Sequence, residues 1–120
     1  MKLEQTILKN LIYNDEYTRK VLPFVRPEYF SDATDRKIFN AINEFVQSYN
    51  SSPTIEAIEL AIKERRNLTD DEVERCEQNL KEIKESASER SELQWLIDKT
   101  EKFCQEKAVY NAVLGAISIL

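Results

Sequence analysis

The side chains of this sequence that could take part in chemistry are mostly carboxylates, and they crowd one segment. Acid–base catalysis requires two carboxylates held in different environments around a pocket. Here they are spaced around a charged helix and interleaved with Arg75, Lys81 and Lys84, which is typical of a solvated face. A catalytic pair or a metal cluster stays the alternative. The crowded residues are Glu72, Glu74, Glu77, Glu82 and Glu85.

Missing residue types exclude several classes of site. The chain has no histidine, so it has no histidine general base and no imidazole metal ligand. Its single glycine, Gly115, cannot form a Walker A loop or a G-x-G-x-x-G turn, because each needs at least two glycines. Cys76 and Cys104 are predicted to be reduced core residues of an intracellular protein; a disulfide or a reactive thiol stays the alternative. We therefore predict no catalytic residue, no metal site and no cofactor in this chain.

Five cations fall within one short region of the sequence, where they could form a patch for DNA or a protein partner. Tyr17, Tyr29 and Phe30 lie nearby, and aromatic rings interleaved with cations can bind single-stranded nucleic acid by stacking and phosphate contacts. The alternative is an ordinary surface with buried aromatics. The net charge of −5 and the pI near 4.9 argue against a general phosphate-binding surface. The five cations are Arg19, Lys20, Arg26, Arg36 and Lys37.

The elements that carry these residues are predicted to be helices. One glycine and three prolines in 120 residues leave almost nothing for tight β-hairpins, so we predict an all-α fold, a compact bundle of about six helices. We expect Ser52 to cap a helix with Pro53 at its first position, and Thr69 and Glu72 to form a capping box. No apolar run approaches the roughly 20 residues that a membrane span needs. The apolar spacing predicts helices over about 3–13, 15–22, 32–49, 53–66, 69–85 and 92–120.

The last predicted helix differs from the others in its length and in its apolar pattern. It is about twice as long as the usual globular helix, and apolar residues recur along it every seven positions. Such a seam usually faces another helix, so we predict that it is shared between subunits or with a partner. The helix also ends on apolar residues without a polar stop signal, from which we expect that more protein follows. The predicted self-association residues are Leu96, Phe103, Tyr110, Leu114 and Ile117.

Several short motifs occur in an order that resembles the N-terminal domain of DnaB-type replicative helicases. The first is Glu4-Gln5-Thr6-Ile7-Leu8, and the second is Pro27-Glu28-Tyr29-Phe30 after Leu22-Pro23. The third is Arg36-Lys37-Ile38-Phe39-Asn40-Ala41-Ile42, and a Pro-containing turn follows at Ser52-Pro53-Thr54-Ile55. Trp95-Leu96, Thr100-Glu101-Lys102 and Asn111-Ala112 are similar to the replicative helicases of T-even-type bacteriophages. One departure is Leu8-Lys9, where many bacterial relatives have Leu-Gly.

The resemblance implies a function that is positional rather than catalytic. Residues 1–120 would be the collar domain of a phage hexameric helicase, and the last helix would be the first half of a helical hairpin that pairs domains into dimers. The collar would contribute to ring assembly and primase docking. A C-terminal ATPase domain outside this chain would bind ATP and Mg²⁺. The implied partners are a second copy, primase, a helicase loader and single-stranded DNA passing through the ring, without a membrane, in the cytoplasm of the infected bacterial host. The alternative function is a stand-alone helical nucleic-acid-binding or adapter protein.

Overall fold

Six α-helices and two short 3-10 turns make up the computed structural model, which describes residues 2–119 and the side chains of residues 2–117. No strand occurs in that range, so the predicted all-α fold with a long last helix is confirmed. The 3-10 turns are Leu22–Phe24 and Pro27–Tyr29. The helices are α1 (Leu3–Tyr13), α2 (Asp15–Val21), α3 (Ala33–Tyr49), α4 (Ile55–Glu64), α5 (Asp70–Glu85) and α6 (Leu93–Ile119).

The core lies around α1, which packs against α2, α3 and α5. Ile7, Leu8 and Leu11 are completely buried because they share the face that the three- and four-residue spacing predicts. Lys9 and Asn10 of α1 are buried beside them. Lys9 donates hydrogen bonds from Nζ to the carbonyl oxygens of Ser86 and Glu89, and its ammonium therefore pairs with carbonyls at the end of α5.

Side-chain caps fix where four of the helices begin. Asn14 accepts a hydrogen bond from the backbone N–H of Tyr17 at 3.1 Å and starts α2. Thr69 accepts one from the backbone N–H of Glu72 at 3.2 Å and starts α5, as the sequence predicts. The predicted start of α4 is wrong, because Thr54, and not Ser52, is its cap. Pro53 lies before the helix, and Thr54 accepts the hydrogen bond from the next turn. The fourth cap is Asp32 at the start of α3.

The long helix α6 packs on the rest of the protein mainly through its first half. Its 27 residues span about 40 Å, nearly the 44 Å longest dimension of the protein. The first half lies against α2 and against the second 3-10 turn. Cys104 is the last residue of α6 that is buried among those with described side chains. The second half therefore presents its side chains to solvent.

Candidate functional site

Buried polar and aromatic contacts attach the first half of α6 to the domain. The Tyr17 hydroxyl and Thr100 Oγ1 lie 2.6 Å apart in the core. Since Thr100 Oγ1 donates its hydrogen to the carbonyl oxygen of Leu96 at 2.7 Å, the Tyr17 hydroxyl donates to Thr100. Burial raises the pKa of Tyr17, so its hydroxyl keeps the proton that this bond needs. The ring of Phe103 packs near that of Phe30, with centroids 6.0 Å apart.

A second attachment point lies further along α6. Asn111 donates a hydrogen bond from Nδ2 to the carbonyl oxygen of Glu28 at 3.2 Å. The segment with the two 3-10 turns thus follows α6 from Phe103 to Asn111. These contacts fix the orientation of the exposed second half of the helix relative to the domain.

The structure divides the predicted self-association residues into two groups. Leu96 and Phe103 are buried in the core of the domain, at 0% and 7% exposure, and a partner cannot reach them on the folded surface. For these two residues the prediction of a shared seam needs correction. They repeat every seven positions because they pack on the domain's own helices. Tyr110, Leu114 and Ile117 are 46–60% exposed, and they stay candidates for association.

Three exposed apolar residues of α6 are missing from the sequence prediction. Trp95, Val109 and Val113 are 49%, 65% and 53% exposed, on faces that the predicted seam does not include. The segment 108–117 contains no charged residue, and its apolar side chains lie around most of the helix circumference, except on the side of Asn111, which contacts the domain. A helix that is apolar on every side is stable in water only when it is covered on more than one side. This property, and not a single stripe, marks the second half of α6 as an interaction surface.

The five predicted cations do not form one patch. Arg19 pairs with Asp15 at 2.6 Å, and Lys20 pairs with Glu16 at 3.5 Å, both one helical turn earlier on α2. The hydrogen bond from Arg19 also lowers the pKa of the Asp15 carboxyl. Both pairs are exposed, so each contributes little to stability but removes a free positive charge.

The other three cations face different elements. Lys37 pairs with Glu72 of α5 at 3.1 Å, and Arg36 donates a hydrogen bond to the carbonyl oxygen of Phe30 at 2.7 Å. Arg26 is exposed at the start of the second 3-10 turn. Arg19 reaches Asn50 at the end of α3, which lies about 20 Å from Lys37 along that helix. The dispersed, mostly paired cations give no support to the nucleic-acid-binding alternative.

The crowded carboxylates lie along α5, where most of them are exposed. No group of three or more potential ligand residues that could hold a metal ion occurs within residues 2–119. Gly115 lies inside α6, so the chain offers no glycine-rich loop that fits the phosphates of a nucleotide. Cys76 and Cys104 are free and buried, and burial raises the pKa of both thiols, which makes them poor nucleophiles.

One carboxyl group does lie in an unusual environment. Asp35 in the first turn of α3 is only 3% exposed, and it accepts a hydrogen bond from Nδ2 of Asn79 on α5 at 3.2 Å. Burial, with Asp32 and Glu4 nearby, raises its pKa to about 6. Because this carboxyl lies between packed helices, its position indicates a structural role.

Comparison with known proteins agrees with this architecture. Residues 1–98 match the family described as "DnaB-like helicase N terminal domain", and the chain belongs to that family. The chain is also 31% identical over 115 residues to the "DnaB-like replicative helicase" of Enterobacteria phage T4. That match covers 96% of this chain and 23% of the T4 protein, so the chain spans about a quarter of its relative's length. The predicted family is thereby confirmed. Within the described residues, no helix is long and apolar enough to cross a membrane.

Proposed function

We propose that this chain is the non-catalytic collar domain of a phage hexameric replicative helicase and that it assembles the ring and docks primase. The observation that carries the proposal is the segment 108–117 of α6, which is exposed and apolar on the sides that do not contact the domain. Complete burial of one large apolar side chain stabilises a complex by about 1.5–3 kcal/mol. Five such side chains, each about half exposed, together contribute roughly 4–8 kcal/mol, which is comparable to the cost of association of at least about 4 kcal/mol. The five are Val109, Tyr110, Val113, Leu114 and Ile117.

Two kinds of helix would cover this surface. In this proposal, α6 is the first half of a helical hairpin, and the returning helix lies in the chain that follows it. A second copy covers the remaining side, and pairs of copies close into the ring. Coverage from two directions agrees with the absence of a polar face in the segment 108–117.

The remaining activities belong, in this proposal, to a longer protein. Its ATPase domain would bind ATP and Mg²⁺ and move the ring along single-stranded DNA in the cytoplasm of the infected bacterium. A helicase loader is a further expected partner. The length of the T4 relative supports this arrangement. Sequencing the gene past the codon for Leu120 tests it. We expect a second apolar helix followed by G-x-x-x-x-G-K-[ST], and a reading frame without that motif would contradict the proposal.

Self-association is tested by charged substitutions at exposed positions. Leu114→Glu and Ile117→Glu place a carboxylate on the proposed surface, and we expect each to lower the mass measured by light scattering. Gln47→Glu, at an exposed position of α3, is the matched control and should leave the mass unchanged. If both α6 variants associate like the unmodified chain, the face of α6 that carries Leu114 and Ile117 is not part of the assembly surface. Phe103→Glu cannot serve here, because it would disrupt the domain's own core.

Primase docking is tested separately. We expect the purified chain to bind the primase encoded by the same genome, as measured by a shift in fluorescence anisotropy. Binding that survives Ile117→Glu would place primase away from the end of α6. An absence of binding at any concentration would remove docking from the proposed function and would leave ring assembly standing.

A further inference from the structure

A second regular stripe runs along the solvent side of α6, turned away from the face that packs on the domain. Its residues follow one another at intervals of four, three, four, three and four positions, which is the spacing of a coiled-coil seam. All six are exposed in the structure. The stripe extends over about 27 Å of helix. It consists of Trp95, Lys99, Lys102, Glu106, Val109 and Val113.

The order of residues in this stripe is self-complementary when the helix is reversed. In two antiparallel copies with a two-fold axis beside residue 104, Trp95 lies opposite Val113, and Lys99 lies opposite Val109. Lys102 then lies opposite Glu106, and each of these three contacts occurs twice. A two-fold interface requires such reciprocal contacts: if residue i of one copy contacts residue j of the other, residue j of the first copy contacts residue i of the second.

We propose that this stripe joins two copies of the chain through an antiparallel α6–α6 contact in that register. The inference rests on the proposed function, since it specifies the face, direction and register of the self-association. It also moves the contact off the predicted seam, because the stripe contains none of the predicted seam residues, and Leu96 and Phe103 among them are buried against the domain.

The charges favour this direction. In a parallel pair, Lys102 would meet Lys102 and Glu106 would meet Glu106, and facing like charges are unfavourable. In the antiparallel pair, each lysine meets a glutamate. Neither Lys102 nor Glu106 forms an ion pair with another residue in the described part of the chain, so both charges are available to a partner.

The outer layers of the contact are apolar. Trp95 is a large ring that is half exposed, and an indole of this kind often anchors a protein interface. The Lys99 ammonium lies 5.9 Å from the centre of that ring. Its methylene stem covers the facing Val109 while the charged head stays in water. Polar central layers between apolar outer layers fix the register of a helix pair at some cost in stability.

Cysteine cross-linking tests the register directly. We expect Lys99→Cys and Val109→Cys, combined in one chain, to give a covalent dimer under mild oxidation, because the two positions face each other across the pair. Each single variant is the control. The equivalent positions of two copies are ten residues apart along the helix, or about 15 Å, which is too far for a disulfide. The native Cys76 and Cys104 are buried and do not compete.

Charge reversal gives an independent test. Lys102→Glu alone and Glu106→Lys alone each place two pairs of like charges in the contact, and we expect association to weaken about tenfold. Mixing the two single variants restores both opposite pairs, and so does combining them in one chain. We expect both to recover the original affinity. The helical circular dichroism of all variants should stay unchanged, because both side chains are exposed.

The outcomes separate this contact from the broader proposal. A doubled mass without cross-linking of the double cysteine variant would overturn the stripe and leave self-association standing. Cross-linking of either single variant as readily as the double variant would also overturn it. A monomer under every condition would contradict both proposals.

Discussion

The buried Asp35 carboxyl gives a prediction about stability whose size can be worked out from the structure. Its pKa rises from 3.8 to about 6 in the folded protein, chiefly because burial disfavours the charged form. A difference of about two pKa units corresponds to about 3 kcal/mol. This shift is the net effect of all interactions of the charge, including that with the dipole of α3, in whose first turn it lies. The ionised carboxylate therefore destabilises the folded protein by about 3 kcal/mol at neutral pH.

We therefore expect Asp35→Asn to stabilise the protein at pH 8 by about 3 kcal/mol, or about 12 °C in Tm. The asparagine keeps an oxygen that accepts the hydrogen bond from Asn79, and it carries no charge. The folded protein binds the proton more tightly than the unfolded chain does. Stability from this group is therefore fully present below pH 4, and it is lost as the pH rises through about 6. The gain from the substitution should disappear below pH 4.

Thermal unfolding followed by circular dichroism at several pH values measures this effect. Asp71→Asn is the matched control, since Asp71 lies in the first turn of α5 and is exposed. That change removes only the favourable dipole interaction and should slightly lower the Tm at pH 8. If Asp35→Asn lowers the Tm at pH 8, or raises it equally at every pH, the argument from burial is wrong.

Three further predictions concern how α6 and the end of α5 are held. Tyr17→Phe removes the buried hydrogen bond to Thr100 and should lower the free energy of unfolding by about 1 kcal/mol in urea denaturation. Lys9→Met removes the ammonium that donates to the carbonyl oxygens of Ser86 and Glu89 just after α5, and hydrogen exchange should show faster amide exchange there with a loss of about 1–3 kcal/mol. Phe103→Ala should lower the free energy of unfolding by about 3–5 kcal/mol, because the ring is buried. Val109→Ala should change the stability of the monomer by no more than about 0.5 kcal/mol, because Val109 is exposed, and it should weaken association. Equal losses of stability in the two variants would contradict the buried position of Phe103 and the exposed position of Val109.

Local signals in the sequence predicted the fold well. Thr69 caps α5 where predicted, because an N-cap depends only on the next turn of chain. The predicted start of α4 is wrong because Ser52, Pro53 and Thr54 are all residue types that favour the beginning of a helix. The loop geometry decides between them, and a pattern of residue types does not contain that geometry.

The candidate site was harder to predict for a physical reason. Leu96 and Ile117 share one heptad row, yet one is buried in the domain and the other is exposed. The sequence does not tell which part of a long apolar helix its own domain covers. The ion pairs of the cations could be predicted only in part. Glu16 precedes Lys20 by one helical turn and indicates a local pair, whereas the pairing of Lys37 with Glu72 depends on the tertiary fold.

Sedimentation equilibrium of the unmodified chain over a wide concentration range tests the central claim most directly. If the exposed surface of α6 joins copies of this domain, the mass should rise with concentration from 14.1 kDa to at least twice that value. The rise should be absent in Val109→Glu, at a position that belongs both to the exposed apolar surface and to the proposed stripe. A mass of 14.1 kDa at every concentration would contradict the account, because the exposed apolar half of α6 would then have no part in assembly.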